Sequence, residues 1–336
     1  MNARAAVPRA AVRFGMAALA ALALGCGGSG GPMSPPPSAD LDADGLADLE
    51  EEALLGQFRP VWDFDETETL FPISLAEWAA LGERIAAESG SESAPYSDLE
   101  SLLAAVQALP DGVMITAEEP YAGLPPCGAG AGCNDAPVFV DAIPVGFSLD
   151  GRDDLVWLQY WLFYQYDRKR ALPGSQVQSQ HHGDWEHVCV LVSLDDLGDR
   201  EAAPVGLHFH AHGGLDVQDA ASSWHADDAG AFHPNVFVEA GGHASYRDAG
   251  ETLLGPHEGG RIDPDGLSHP LVFLRPHATN RSDPADEILG GFRGRWGQTE
   301  GDSGESPIGP LELNQPCDHD WSESPGLSDW IPACST

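Results

Sequence analysis

Aspartate and glutamate stand two residues apart in His181-His182-Gly183-Asp184-Trp185-Glu186-His187, which leads directly into Val188-Cys189-Val190-Leu191-Val192. In a strand, the side-chain period of two places Asp184 and Glu186 on one face with Cα atoms about 6.6 Å apart. Both carboxylates then reach one cation, and nearby histidines add nitrogen donors. Twelve of the thirteen histidines fall between 181 and 277, and His208, His210 and His212 alternate so that they share one strand face. A three-histidine face suits zinc, copper or nickel, whereas a carboxylate-dominated site with outer-shell histidines suits magnesium, calcium or manganese. Oxygen donors at Asp167, Asp184 and Glu186 favour the hard ion. His187 points away from Asp184 and is expected to pack. Cys189, mid-strand among valines, is expected to be a buried thiol rather than a nucleophile.

A second constellation runs from 40 to 51. Asp40, Asp42, Asp44, Asp48 and Glu51 occupy positions 1, 3, 5, 9 and 12 of a twelve-residue loop, with Gly45 at position 6 for the sharp turn. This is the spacing of an EF-hand calcium loop, in which Leu46 contributes its backbone carbonyl and Glu51 binds through both oxygens. Pro35 to Pro37 leave little room for a preceding helix, so the segment resembles the half EF-hand of dockerin-like and thrombospondin-type calcium repeats.

The elements that must position these residues change character along the chain. Helical periodicity marks 46–56, 74–89 and 97–109, with Pro110 ending the last. From about residue 136 onward, short runs rich in Val, Phe, Tyr and Trp predict strands over 137–147, 154–166, 185–193, 204–212, 235–240 and 270–275. Many short strands with turn signals indicate a mainly β fold, an antiparallel β-sandwich with a few peripheral N-terminal helices. The acidic, Gly- and Pro-rich stretches 111–135 and 298–318 are expected to be surface loops.

Charge and the N-terminus bound the setting. Sixteen basic against 53 acidic residues give a formal charge of −37, which repels a polyanion and excludes nucleic acid as a partner. Arg4, Arg9 and Arg13 precede an apolar stretch over 14–24 that is too short to remain in a bilayer and reads as an export signal. Ala23-Leu24-Gly25-Cys26 resembles a bacterial lipobox, although Ala23 stands where Leu is more usual, and the resemblance implies cleavage before Cys26 and lipidation of its thiol. The expected organisation is a lipoprotein signal peptide over 1–25, a Gly/Pro/Ser tether over 26–39, the calcium loop over 40–52 and a β-sandwich domain over 53–336. Export permits disulfides, expected between Cys127 and Cys133 and between Cys317 and Cys334.

Four motifs occur in order: the aromatic run Tyr160 to Tyr164, Gly183-Asp184-Trp185-Glu186-His187, Gly242-His243-Ala244-Ser245-Tyr246 and Gly294-Arg295-Trp296-Gly297. Over roughly residues 55 to 330 they resemble the vacuolar protein sorting-associated protein 62 family. A weaker likeness, to the necrosis- and ethylene-inducing peptide-like cytolysins, rests on an aromatic strand ending in Asp167 followed by the heptapeptide 180–186. That family's pattern, a β-sandwich with a divalent ion, implies Asp167, His181, Asp184, Glu186 and His212 as ligands. His208, His210 and His243 are further candidates. The heptapeptide departs at two positions, which bears on membrane damage more than on the ion. The expected function is an exported, lipid-anchored metal-binding protein of the bacterial outer membrane or cell surface, with a lipid or glycan ligand. The alternatives are a metal-dependent phosphodiesterase or esterase and a cytolysin. Neither Gly-x-Ser-x-Gly nor His-Glu-x-x-His is present, so binding is favoured over catalysis.

Overall fold

Alternating apolar residues along four long segments build the central sheet of a computed structural model. It describes residues 40–66, 68, 70–79, 84–87, 99–107, 113–116, 136–145, 154–168, 180–194, 202–211, 214–219, 224–226, 232–247, 261–262, 269–275, 277, 292, 295–296, 299–300 and 309–310. The segments expected to be an export signal and a tether with Cys26, and the four cysteines at 127, 133, 317 and 334, lie outside the described residues. Among the described residues, no helix is long and apolar enough to cross a membrane.

Among the described residues, the helices α1 (Asp48–Gln57), α2 (Leu75–Ala79) and α3 (Leu99–Gln107) accompany the strands, which are numbered in chain order. The larger sheet runs β13 (Leu271–Phe273), β4 (Val138–Val145), β5 (Leu155–Arg168), β6 (Gln180–Leu194), β7 (Ala202–Ala211) and β8 (Gly214–Asp219), with β15 (Thr299–Glu300) also pairing with β6. The second sheet runs β11 (Ser245–Tyr246), β10 (Phe232–Val238), β1 (Val61–Phe64) and β12 (Arg261–Ile262), with β9 (Trp224–Ala226) on β10. A small third sheet joins β14 (Arg295–Trp296), β3 (Val113–Thr116) and β2 (Arg84–Ala87).

The two larger sheets face each other across a buried core. Val188, Val190 and Val192 of β6 and Tyr160, Leu162 and Tyr164 of β5 meet Trp62, Phe64, Val236 and Val238 of the second sheet, with Leu54 and Leu55 from α1 and Phe58 just beyond it. The opposite face of β5 and β6 presents Trp161, Phe163 and Trp185 to Leu75 and Trp78 of α2 and Leu102 of α3. Trp296 sits at the centre of this second core, fully buried, with ring centroids 5.3 Å from Trp185 and 5.4 Å from both Phe163 and Trp78.

The expected sandwich is present, but its sheets are mixed rather than wholly antiparallel. β1 with β10, β4 with β13 and β3 with β14 are parallel pairs. Each joins segments far apart in the chain, so no tight hairpin dictates their direction. The helix expected over 74–89 stops at Ala79, and Arg84–Ala87 instead pairs with β3, Ile85 opposite Ile115. Gly82 lies between the two and weakens a continuous helix. Inside the two expected surface loops, Val113–Thr116 forms β3 and Thr299–Glu300 pairs with Gln180 and His181. Runs this short carry too few residues to show a period against acidic flanks.

Trp296→Ala is expected to cost about 3–5 kcal/mol, the range for emptying a large buried aromatic site. Chemical denaturation of parent and variant checks this through the shift in midpoint.

Candidate metal centres

β5 and β6 pair in antiparallel register from Leu155 opposite Ser193 to Arg168 opposite Gln180. That register sets Tyr164 against Asp184 and Asp167 against His181. Simple alternation would send His181 and Asp184, three residues apart, to opposite faces. Gly183, at φ +62°, interrupts the pleat between them, and His181 Nε2 lies 3.3 Å from Asp167 Oδ2 and 4.0 Å from Asp184 Oδ1. His181 Nδ1 is 3.2 Å from the Gly183 carbonyl, which orients the ring. Only glycine suits this position, because a Cβ would stand 3.2 Å from both Trp296 Cβ and the Trp296 carbonyl oxygen, in addition to the strain of positive φ. Two of the motifs thus meet here.

The facing sheet completes the group. The turn after β10 holds Gly241 at φ +76° and His243 at φ +53°, with the His243 N–H donating to the Glu239 carbonyl at 3.0 Å. A histidine kept in the left-handed region is a strained placement of the kind that clusters at functional sites. Its ring stacks on Tyr164 at 3.9 Å, its Nδ1 bonds Asp184 Oδ2 at 2.8 Å, and its Nε2 lies 3.7 Å from Glu68 Oε2. Glu68, from the segment after β1, accepts the Gly241 and Leu70 N–H groups, each at 2.6 Å. Glu68, Asp167, Asp184, Glu186 and His243 are all buried, while His181 reaches the surface.

Burial and neighbouring carboxylates raise the proton affinity of Asp167, His181, His243 and Tyr164. Burial pushes Asp167 up, partly countered by its bond to His181, with Asp184 adding repulsion. For His181 and His243, burial disfavours the charged ring, but the carboxylates outweigh it and both are raised: Asp167 and Asp184 act on His181, and Glu68 and Asp184 on His243. The fully buried Tyr164 hydroxyl is held well above the usual tyrosine range by burial and by Glu68, Glu186 and Asp184, and it has no hydrogen-bond partner. The centre thus brings together an oxygen-rich set of side chains, two imidazoles of raised basicity and an orphaned hydroxyl, although its donor atoms are more widely spaced than the groups within 4.8 Å at the loop 40–51.

His208, by contrast, lies opposite Cys189 in the β6–β7 register, on the other face of the sheet from Asp184. His210 is within β7, its side chain outside the described residues, as is His212 altogether. Glu68 and Tyr164 were not singled out in the sequence. Glu68 has no regular spacing to any motif, and Tyr164 reads as one more aromatic in an apolar strand.

The loop at 40–51 has a different architecture. Asp40 Oδ2 accepts the Gly45 N–H at 3.3 Å, Asp44 Oδ1 accepts the Leu46 N–H at 2.8 Å, and Asp48 Oδ1 accepts the Leu41 N–H at 3.0 Å. Ligand oxygens of Asp40, Asp42 and Asp44 lie within 4.8 Å of one another, and Asp48, Glu51 and His277 form an adjoining trio. Asp42 Oδ1, Asp44 Oδ2 and Glu51 Oε1 are buried without hydrogen-bond partners, and these belong to positions 3, 5 and 12 of the loop. That fits calcium. The loop is also built into the domain. Arg275 reaches Asp42 at 3.7 Å and Asp141 of β4 at 3.1 Å, and His277, stacked on Phe273, lies 3.3 Å from Glu51 Oε2 and bonds the Asp48 carbonyl at 2.7 Å. Burial, then Asp44 and Asp42, push the Glu51 carboxyl up to about 9.

No family model matches the chain, and no curated protein matches it. Solved structures similar to it are necrosis- and ethylene-inducing peptide-like proteins at low identity. The non-toxic HaNLP3 protein is 14% identical with TM-score 0.36, covering 77% of this chain and 84% of that one. NLPPya in complex with mannosamine is 16% identical with TM-score 0.33, covering 76% and 84%. A structure described as a toxin fold for microbial attack and plant defense is 16% identical with TM-score 0.31, covering 66% and 72%. None of these comparisons supports the vacuolar sorting resemblance. At such scores the likeness carries no functional argument, and the centres stand on their own geometry.

Two outcomes are expected. Gly183→Ala should lower stability by about 1–3 kcal/mol through backbone strain and weaken ion binding at the central site, read by denaturation and calorimetry. In chelator, stability should fall as pH rises from about 4.5 towards about 9, because folded Glu51 holds a proton that the unfolded chain releases. Saturating calcium, which requires the carboxylate form, should remove that decline, as thermal unfolding across the pH series will show.

Proposed function

We propose that the chain is an exported, lipid-anchored metal-binding β-sandwich protein that presents a divalent ion to a ligand at a bacterial cell envelope. Calcium occupies the loop formed by Asp40, Asp42, Asp44, Leu46, Asp48 and Glu51. A hard ion, magnesium, calcium or manganese, is held between the sheets by Asp167, Asp184, Glu186 and Glu68. His243 fixes Asp184 through Nδ1, and Tyr164 offers its hydroxyl to the ion's water or to the ligand. The ion supplies charge that a hydroxyl- or phosphate-bearing ligand, a glycan or lipid headgroup, can meet. His181 is the member of the centre that reaches solvent and lies on the ligand side. The observation that carries this reading is the convergence on Tyr164 of buried Asp184 and Glu186 from β6 and buried Glu68 from the segment after β1, around a tyrosine hydroxyl that has no partner.

Catalysis by a metal-dependent hydrolase draws on one further observation. Asp167 beside His181 at 3.3 Å orients an imidazole of raised basicity, as a general base requires. Lipidation of Cys26 favours an anchored binder over a diffusing cytolysin.

Calorimetric titration with calcium, magnesium and manganese is expected to show two separable events. Asp44→Asn should remove one and Asp184→Asn the other, each by tenfold or more in affinity. Glycan and liposome binding should then follow the Asp184-dependent event and vanish in chelator. Binding unchanged in Asp184→Asn and in chelator overturns the proposal. Metal-dependent turnover of aryl esters or phosphodiesters that Asp184→Asn abolishes reassigns the centre to hydrolysis, and leakage from vesicles reassigns it to membrane damage.

A further inference from the structure

The face of β6 that turns away from Asp184 carries His187 and Cys189, two residues apart, and the β7 register sets His208 directly opposite Cys189. One ligand atom from each of the three, two imidazole nitrogens and one sulfur, lies within 4.8 Å of the other two. Their relative exposures are 1%, 4% and 0%, so the group is closed to solvent. We propose that His187, Cys189 and His208 form a third metal site, specific for a thiophilic transition-metal ion of the zinc or copper class, that ties β6 to β7.

The donor chemistry selects the ion. Two nitrogens and a sulfur suit zinc or copper, whereas calcium and magnesium require oxygen. Around a tetrahedral zinc, ligand atoms stand about 3.3–3.7 Å apart, given metal–sulfur and metal–nitrogen distances of about 2.3 and 2.0 Å. Small side-chain rotations from the present spacing reach that geometry.

The surroundings hold the rings in place. Trp161 stacks on His187 at 3.9 Å and 23°, and Trp157 lies edge-on to His208 at 6.3 Å. Gln159, opposite Cys189 on the β5 side, places its amide on the same face, where its oxygen accepts the Trp161 Nε1–H at 3.0 Å. The remaining lone pair of that oxygen is a candidate fourth donor. Burial holds the Cys189 thiol well above its ordinary value, so in the absence of an ion the sulfur carries a proton. Binding replaces the S–H bond with a sulfur–metal bond and releases one proton to solvent, with no change of oxidation state for zinc.

The test uses the full chain refolded with cobalt(II), an absorbing stand-in for zinc. The expected result is one equivalent of cobalt that gives a thiolate-to-cobalt charge-transfer band. Cys189→Ser should abolish the band, and His208→Gln should weaken the cobalt affinity read from that band tenfold or more. Absence of the band from the parent, or its survival in Cys189→Ser, overturns the proposal. X-ray absorption at the zinc edge of the parent reads the ligands directly and needs no variant to fold. A shell with one sulfur and at least two nitrogens supports the site, whereas a shell without sulfur, or with two or more, overturns it.

Discussion

The pairing of β5 with β6 is the constraint from which the rest of the structure follows. Because the side-chain period is two, one register assigns every residue of both strands to a face. Tyr164, Asp184 and Glu186 go towards the second sheet, while Trp161, Trp185, His187 and Cys189 go towards the helices and Trp296. A slip of one residue would drive the carboxylates into the aromatic layer and the tryptophans into the inter-sheet centre. The aromatic layer is what holds the register, since Phe163, Trp185 and Trp296 contact one another only in this alignment.

Against that regular ladder, Gly183 introduces one local exception. Its positive φ brings His181 to the side of Asp184, and its missing side chain lets Trp296 close over the backbone. The same residue therefore serves the core and the site. Tight packing around Trp296 leaves the strand no freedom to relax, so the bend is held in place by apolar contacts rather than by the polar groups it positions. This division matters, because a cluster of carboxylates repels itself and cannot be relied on to define its own geometry. Glu68 and His243 illustrate the same principle on the other sheet. Backbone N–H groups fix Glu68, and a tight turn stacked on Tyr164 fixes His243.

Much of this arrangement was legible in the residues themselves, for identifiable reasons. Asp184 and Glu186 announce a shared face through their spacing, Asp167 ends an aromatic strand, and the loop at 40–51 has a complete ligand pattern. Glu68 was not legible, since it reaches the centre from a loop whose place depends on the long-range parallel pairing of β1 with β10. His208 shows a different limit. Its strand face could be read, but which neighbouring residues share that face depends on the β6–β7 register, and that register sets it beside Cys189 rather than Asp184. β2 and β3 failed for want of length, as four residues do not reveal a period.

The two faces of β6 raise a problem of ion choice that the sheet itself resolves. For mixed nitrogen, oxygen and sulfur ligands, copper and zinc outcompete magnesium, calcium and manganese at almost any single site. A centre that pooled every histidine near Asp184 would therefore lose its hard ion to trace zinc. Here the imidazoles beside the carboxylates are engaged as hydrogen-bonding partners, His243 to Asp184 and His181 to Asp167, which keeps oxygen dominant on that face. Cys189, His187 and His208 lie on the opposite face, with Trp161 stacked on His187. With the ions proposed above, separation of donors by strand alternation would let one sheet discriminate between hard and soft ions without different folds for each. An ion at the proposed His187–Cys189–His208 site would reinforce the β6–β7 pairing, next to the register on which the carboxylate cluster depends.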